Sequence, residues 1–141
     1  ADERVPEELR RELERIVATL RGFQRVTVDE LTRSLEKQWA VQHGLQLAIQ
    51  NVLDIGNHLL LAAGVTDIED YTDIIDRMGE RDIVPRGFAR AIRPMAGFRN
   101  LLVHAYSRVD AARVHQALQT HLDDFEHFAQ HIQRYLDRQP G

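Results

Sequence analysis

The 141-residue sequence contains no cysteine and only one lysine, Lys37. The absence of cysteine excludes disulfide bonds and thiolate metal sites. No apolar run approaches the roughly 18–20 residues that a membrane-spanning helix needs, so we expect neither a membrane segment nor a signal peptide. No stretch alternates apolar and polar residues for long enough to predict a β-strand. These absences favour a soluble helical protein, for which we expect a cytoplasmic location.

The net charge of −4 argues against a general nucleic-acid-binding protein, which usually has a basic domain. The charges are nevertheless unevenly distributed, because eight arginines lie between Arg77 and Arg113 and an acidic run occupies residues 67–76. Guanidinium groups pair bidentately with phosphate. The arginine-rich segment is therefore either a solvated charged surface or a groove for a polyanion, and composition leaves both interpretations open.

Apolar residues recur at spacings of three and four along most of the chain, which predicts amphipathic helices. The first helix is expected over residues 6–21, with Pro6 in its first turn and Gly22 after its end. A capping box formed by Thr27 and Glu30 then predicts a second helix that continues to about residue 64.

This second helix would be on the order of 50 Å long, which exceeds the diameter of a small domain. Part of it is therefore expected to project or to pack against a second subunit. Gly44 and Gly56 mark a bend or a close helix crossing, and we expect the bend at Gly44.

Three more helices complete the prediction. A short one occupies about residues 71–79, and a fourth starts at Pro85 and is kinked by Pro94. The last is capped by Asp110 and runs to about Arg138. Four main helices and a short one indicate an all-α antiparallel bundle in which residues 1–141 form one domain.

The densest group of chemically useful side chains lies in residues 98–106, which contain Arg99, Asn100, His104 and Tyr106. A histidine and an arginine without an adjacent carboxylate pair or thiolate suit RNA transesterification, in which the 2′-hydroxyl attacks its own phosphate and no metal is required. His104 would move protons, Arg99 would stabilise the developing charge, and Asn100 would orient the imidazole or a phosphate oxygen.

One continuous helix does not gather these groups around one atom. Asn100 and His104 would be neighbours four residues apart, whereas Arg99 would lie about 140° away from His104. Either the helix ends near Val103 and the chain turns His104 inward, or a second copy supplies the missing groups across a two-fold axis.

The spacing of arginine, four residues, histidine, one residue and tyrosine resembles the motif of the HepT-like branch of the HEPN superfamily. The likeness covers about residues 25–136 and includes the long-helix segment 45–58 and the segment 95–100. It implies a two-fold homodimer of HEPN-like helical bundles that cleaves RNA in a cleft between two protomers, with tRNA and mRNA as candidate substrates.

The resemblance further implies that Arg99 and His104 are the catalytic residues and that Asn100 supports them. Tyr106 would be the residue to which a cognate minimal nucleotidyltransferase antitoxin attaches AMP, and Asp54 is a candidate for lining the cleft. No cofactor is expected. His127 and His131 have a spacing that can bind a metal, but no acidic general base accompanies them, and we expect no metal site.

Two other interpretations compete with the toxin ribonuclease. The chain is alternatively a non-catalytic HEPN module that binds a nucleotide or a partner through the arginine-rich segment. A plain structural helical dimer is the third possibility, and it would tolerate replacement of both Arg99 and His104.

Overall fold

Seven helices form the regular structure of residues 4–104 and 110–139, which are the residues that the computed structural model describes, apart from the side chain of His104. The helices are α1 (Arg4–Arg21), α2 (Val28–Arg33), α3 (Leu35–Ala62), α4 (Tyr71–Glu80), α5 (Arg86–Ile92), α6 (Met95–His104) and α7 (Ala111–Arg138). No strand occurs in this part of the chain. The predicted all-α fold class is confirmed.

The first helix is an integral part of this bundle. It begins two residues before the expected start and ends at Arg21, as predicted. The same arginine donates hydrogen bonds to Asp123 and Glu126 of α7, at 2.7 and 2.8 Å. The residues that α1 buries are Pro6, Leu13, Val17 and Leu20.

The helix predicted from the capping box is interrupted, and the interruption is not at Gly44. The chain leaves helical geometry at Ser34, which ends α2 and caps α3 by accepting a hydrogen bond from the backbone of Lys37 at 3.2 Å. A serine is well suited to this cap because its hydroxyl satisfies an unpaired amide of the new helix. The box itself is confirmed, since the Thr27 hydroxyl accepts from the backbone amide of Glu30 at 3.1 Å.

The two glycines of α3 permit close helix crossings. The helix continues through Gly44, where a Cβ atom would lie 2.6 Å from Cδ2 of Leu20 on α1. At Gly56 a Cβ would meet Ile74 and Met78 of α4 at 2.8 and 2.9 Å. The expected bend at Gly44 is therefore replaced by a contact that lets α1 approach α3.

The helices that follow begin with well-defined caps or proline turns. Asp70 caps α4 by accepting from the backbone amide of Asp73 at 2.8 Å. The predicted kink at Pro94 is a complete break between α5 and α6, because proline cannot donate the hydrogen bond that would continue the helix. Asp110 caps α7 as predicted, with a bond of 3.0 Å from the amide of Ala112.

Helix α3 is the centre of the bundle, since it contacts α1, α2, α4, α6 and α7. Its 28 residues span about 42 Å. Four large apolar side chains of α3 are nevertheless exposed on one side of the helix, and we call this side the α3 face; they are Leu35, Trp39, Leu47 and Leu61. Within the described residues, no helix is both long and apolar enough to cross a lipid bilayer.

Candidate functional site

Arg99 lies near the end of α6 and is held by side chains from two other helices. Its Nε donates a 3.0 Å hydrogen bond to Oε1 of Gln50 on α3. The guanidinium carbon lies 4.5 Å from the centre of the Tyr71 ring at the start of α4, a distance suitable for a cation–π contact. A weaker contact of 3.4 Å joins one terminal nitrogen to Oδ1 of Asn100. The guanidinium is thus fixed while most of its five N–H donors remain for a ligand.

The acceptor that holds Arg99 is itself oriented. Nε2 of Gln50 donates to Oδ1 of Asp54 at 2.8 Å, one helical turn further along α3. This bond turns the Gln50 carbonyl oxygen toward Arg99, because the two ends of the amide have opposite hydrogen-bonding roles. Asp54, Gln50 and Arg99 consequently form one connected chain of hydrogen bonds.

The sequence pattern pointed to Arg99, Asn100 and Asp54 but not to Gln50 or Tyr71. Gln50 precedes Asp54 by four residues on a half-exposed helix face, a spacing typical of a glutamine–aspartate hydrogen bond. That spacing was a usable signal for the pair. Nothing local connects Gln50 with Arg99, however, since 49 positions separate them.

His104 is the last residue of α6, and its side chain and the whole of Tyr106 lie outside the described residues. The helix therefore extends past Val103, so the positions of Arg99 and His104 belong to helix faces about 140° apart. Of the two arrangements considered from the sequence, this favours contribution by a second copy. The roles of both residues stay predictions.

A cavity of about 600 Å³ adjoins the anchored arginine. Residues from α3, from the turn that leads into α4 and from α6 line it, and they combine carboxylates with carboxamides. We call it the amide–carboxylate pocket, and its carboxamide and carboxylate side chains are Gln50, Asp54, Asn57, Glu69, Asp70 and Asn100. Tyr71, over which Arg99 lies, also lines the pocket, so the two features form one continuous site.

The arginine-rich segment is partly neutralised. Arg77 forms an ion pair with Asp67 at 2.9 Å, and this hydrogen bond lowers the pKa of the Asp67 carboxyl. Arg93 pairs with Asp76 at the same distance. Four exposed arginines of the segment have no ion pair among the described residues, namely Arg81, Arg86, Arg90 and Arg113. The surface and groove interpretations both remain compatible with this arrangement.

Two histidines of α7 each contact a different residue rather than each other. His121 lies 3.2 Å from Asp124, and His131 makes an edge contact with Phe88 at 4.7 Å between ring centres. Burial lowers the pKa of His131, and the nearby positive charge of Arg134 acts in the same direction. Over residues 4–103 and 110–139, no three His, Asp or Glu side chains are arranged to hold a metal ion.

The amino-acid sequence of the chain is similar to known ribonucleases. Residues 10–132 match the family model described as Ribonuclease HepT-like. The tRNA nuclease HepT of Aphanizomenon flos-aquae is 32% identical over 121 residues, which cover 83% of this chain and 80% of that protein.

Two solved structures share the fold. One is the tri-AMPylated HEPN toxin of Shewanella oneidensis in complex with its MNT antitoxin, with a TM-score of 0.83, 20% identity, and coverage of 94% of this chain and 99% of that one. The other is YutE of Bacillus subtilis, described as a cytosolic protein of unknown function, with a TM-score of 0.84, 21% identity, and coverage of 97% and 92%. At these identities the two structures establish the fold alone.

Proposed function

Because the chain belongs to the ribonuclease HepT-like family, we propose that it is the RNA-cleaving toxin of a bacterial toxin–antitoxin pair. The family and the class of enzyme predicted from the sequence are confirmed by this membership. Its RNA substrate, catalytic residues, oligomeric state and partner belong to the proposal, and so does a cytoplasmic location.

The observation that carries the proposal is the anchoring of Arg99 by Gln50 and Tyr71. A guanidinium held through Nε presents its terminal nitrogens in a fixed orientation, and such preorganised donors stabilise charge that develops on a phosphate. The RNA 2′-oxygen attacks the adjacent phosphorus and the 5′-oxygen leaves, which gives a 2′,3′-cyclic phosphate and a 5′-hydroxyl. His104 takes the proton from the 2′-hydroxyl and supplies one to the leaving oxygen, while Asn100 supports Arg99.

The exposed α3 face supports a two-fold homodimer with the site at its interface. At about 100° per residue, its four apolar side chains lie within a sector of about 120°. Gln50 and Asp54 fall in the same sector, so the apolar surface and the site share one side of α3. Trp39 is 61% exposed, and large exposed apolar side chains that share one side of a helix suit an interaction site. A second copy packed there brings two Arg99 and two His104 into one cleft.

A nucleotidyltransferase antitoxin is the proposed regulatory partner. The Shewanella toxin described above is AMPylated and bound to an MNT antitoxin. In this chain the phenol oxygen of Tyr106 attacks the α-phosphorus of ATP, pyrophosphate leaves, and the phenol proton passes to solvent. The added phosphate and adenosine stand two positions from His104 and exclude RNA by charge and bulk.

Cleavage of total RNA in the presence of EDTA tests the proposal. Intact mass first establishes that the protein carries no AMP, and the wild type is then compared with Arg99→Ala and His104→Ala. The matched controls are Arg15→Ala on α1 and His127→Ala on α7, both of which replace exposed side chains away from α6. Wild type and controls should produce 2′,3′-cyclic phosphate ends, and both site variants should lose this activity.

Each other result has a definite meaning. If the unmodified, folded dimer leaves RNA intact, the chain is a non-catalytic module that binds a nucleotide or a partner. If all five proteins cleave equally, the activity comes from a contaminant or from another site, and the assignment of Arg99 and His104 is wrong.

A further inference from the structure

The chemistry described so far uses Gln50, Tyr71 and Asn100 to hold Arg99 but gives no role to the cavity of the amide–carboxylate pocket. It opens directly beside Arg99, because Gln50 and Asn100 both line the pocket and contact the guanidinium. We propose that this pocket binds the base of a nucleotide next to the cleaved phosphate and that it prefers guanine. The inference rests on the proposed cleavage of RNA at Arg99, and it adds a sequence preference that the cleavage chemistry does not itself require.

The charge of the pocket decides which part of a nucleotide it can hold. Asp54, Glu69 and Asp70 contribute carboxylates to its wall, and these repel a phosphate. A base is neutral and carries hydrogen-bond donors on its edge, so it fits the same wall without repulsion. The cavity of about 600 Å³ lies within the size range of pockets for small molecules, and it readily accommodates one base. A phosphate bound to Arg99 would place its attached nucleoside at the mouth of this pocket.

The remaining hydrogen-bonding capacity favours guanine. Oδ1 of Asp54 accepts from Gln50, which leaves Oδ2 for a ligand. Oδ1 of Asn100 accepts from Arg99, which leaves its amino group as a donor. The Watson–Crick edge of guanine presents two adjacent donors, N1–H and the 2-amino group, beside the acceptor O6. Carboxylate oxygens suit the donors, and a carboxamide of Asn57 or Asn100 suits O6.

The other bases match this lining less well. Adenine and cytosine each present one amino group next to a ring nitrogen that accepts, and that nitrogen would face a carboxylate without a proton between them. Uracil presents a single N–H between two carbonyl oxygens. Proteins commonly recognise single-stranded RNA through such base edges, and a well-formed pair of hydrogen bonds discriminates between bases. The preference for guanine should be roughly 5- to 150-fold in affinity.

The test measures binding separately from cleavage. Short uridine oligomers with a single guanosine, adenosine or cytidine are titrated against the His104→Ala protein, which retains the pocket, and fluorescence anisotropy reports the affinity. The same titrations are repeated with a double variant that carries both His104→Ala and Asp54→Asn. Asparagine has nearly the shape of aspartate but replaces one carboxylate oxygen with an amino group. The matched control is Asp137→Asn, because Asp137 accepts from Gln133 on α7 in the same way that Asp54 accepts from Gln50.

We expect the guanosine oligomer to bind most tightly, Asp54→Asn to remove most of the preference, and Asp137→Asn to preserve it. Equal affinity for all three oligomers in the parent protein would overturn the proposal. So would a loss of affinity in Asp54→Asn that is the same for every oligomer, since that result would mean that Asp54 acts only through Gln50 and Arg99. An Asp54→Asn variant that keeps the full base preference would likewise overturn the proposal, because Asp54 would then not read the base.

Cleavage of the same oligomers by proteins with His104 intact separates this inference from the proposed function. A guanine preference in binding that depends on Asp54, without any cleavage, would support the pocket and refute the ribonuclease mechanism. Cleavage without any base preference would support the mechanism and refute the pocket.

Discussion

Replacing Gly56 with alanine would test whether the position of α4 against α3 depends on close packing. A Cβ at this position would lie 2.8 Å from Cγ2 of Ile74 and 2.9 Å from both Sδ and Cε of Met78. The flexible end of the Met78 side chain can adjust, but Ile74 cannot easily move, because its branched side chain has one favoured rotamer in a helix. We therefore expect α4 to shift away from α3.

Two opposing contributions determine the size of the effect. Overpacking of a buried contact costs about 1–3 kcal/mol. Alanine in place of glycine within a helix raises the free energy of unfolding by about 0.5–1 kcal/mol. At Gly87 of α5, a Cβ atom would have no heavy atom of a neighbouring element within 4 Å, so Gly87→Ala should show only the second contribution. The free energies of unfolding of the two variants should consequently differ by about 1–3 kcal/mol, with Gly56→Ala the less stable.

Urea unfolding followed by circular dichroism measures this difference, and thermal unfolding should show a gap of roughly 3–9 °C between the variants. The shift of α4 should also carry Tyr71 away from Arg99, so that Gly56→Ala cleaves RNA more slowly at temperatures where it remains folded. Equal stability of Gly56→Ala and Gly87→Ala would refute the proposed packing constraint.

Three further predictions address the site, the pH dependence and the oligomer. Gln50→Leu should slow RNA cleavage about 10-fold because Arg99 loses its acceptor. Gln133→Leu should leave the rate unchanged, since it breaks only the Gln133–Asp137 bond of α7, which corresponds to the Gln50–Asp54 bond of α3. The pKa of His131 is lowered from its ordinary 6.5, so the unfolded chain takes up a proton first as pH falls, and stability should decrease below about pH 6.5. His131→Phe should remove that part of the pH dependence in urea unfolding, and an unchanged slope would assign it to another group. Trp39→Asp should convert the proposed dimer into a folded monomer in light scattering and abolish cleavage, and a variant that stays dimeric would exclude the α3 face as the interface.

The helices themselves were largely predictable, because their signals are local. The cap residues Thr27 and Asp110 and the breaker Pro94 each act on the backbone within one turn, and the structure places helix ends at or near all three. Ser34 was overlooked because an amphipathic pattern continues across it, and the hydrophobic period does not reveal which of several polar residues will act as a cap.

The long second helix shows where local reasoning fails. Glycine lowers helix stability, and this local preference predicts a bend at Gly44. In the folded chain Leu20 fills the space above Gly44, and the helix continues because the packing of α1 compensates for the local preference. A residue 24 positions away decides this outcome, and no pattern around Gly44 contains that information.

The sequence by itself determined the helical class, most of the helix ends, the family and the motif that contains Arg99 and His104, because periodicity, caps and motif spacing are properties of neighbouring residues. Only the tertiary structure decided that Gln50 and Tyr71 hold Arg99 and that Asp54, Asn57 and Asn100 share a pocket beside it. These contacts join α3, α4 and α6, and they depend on how closely the helices cross. That distance follows from the packing of side chains such as those around Gly56, which are far apart in sequence and adjacent only after folding.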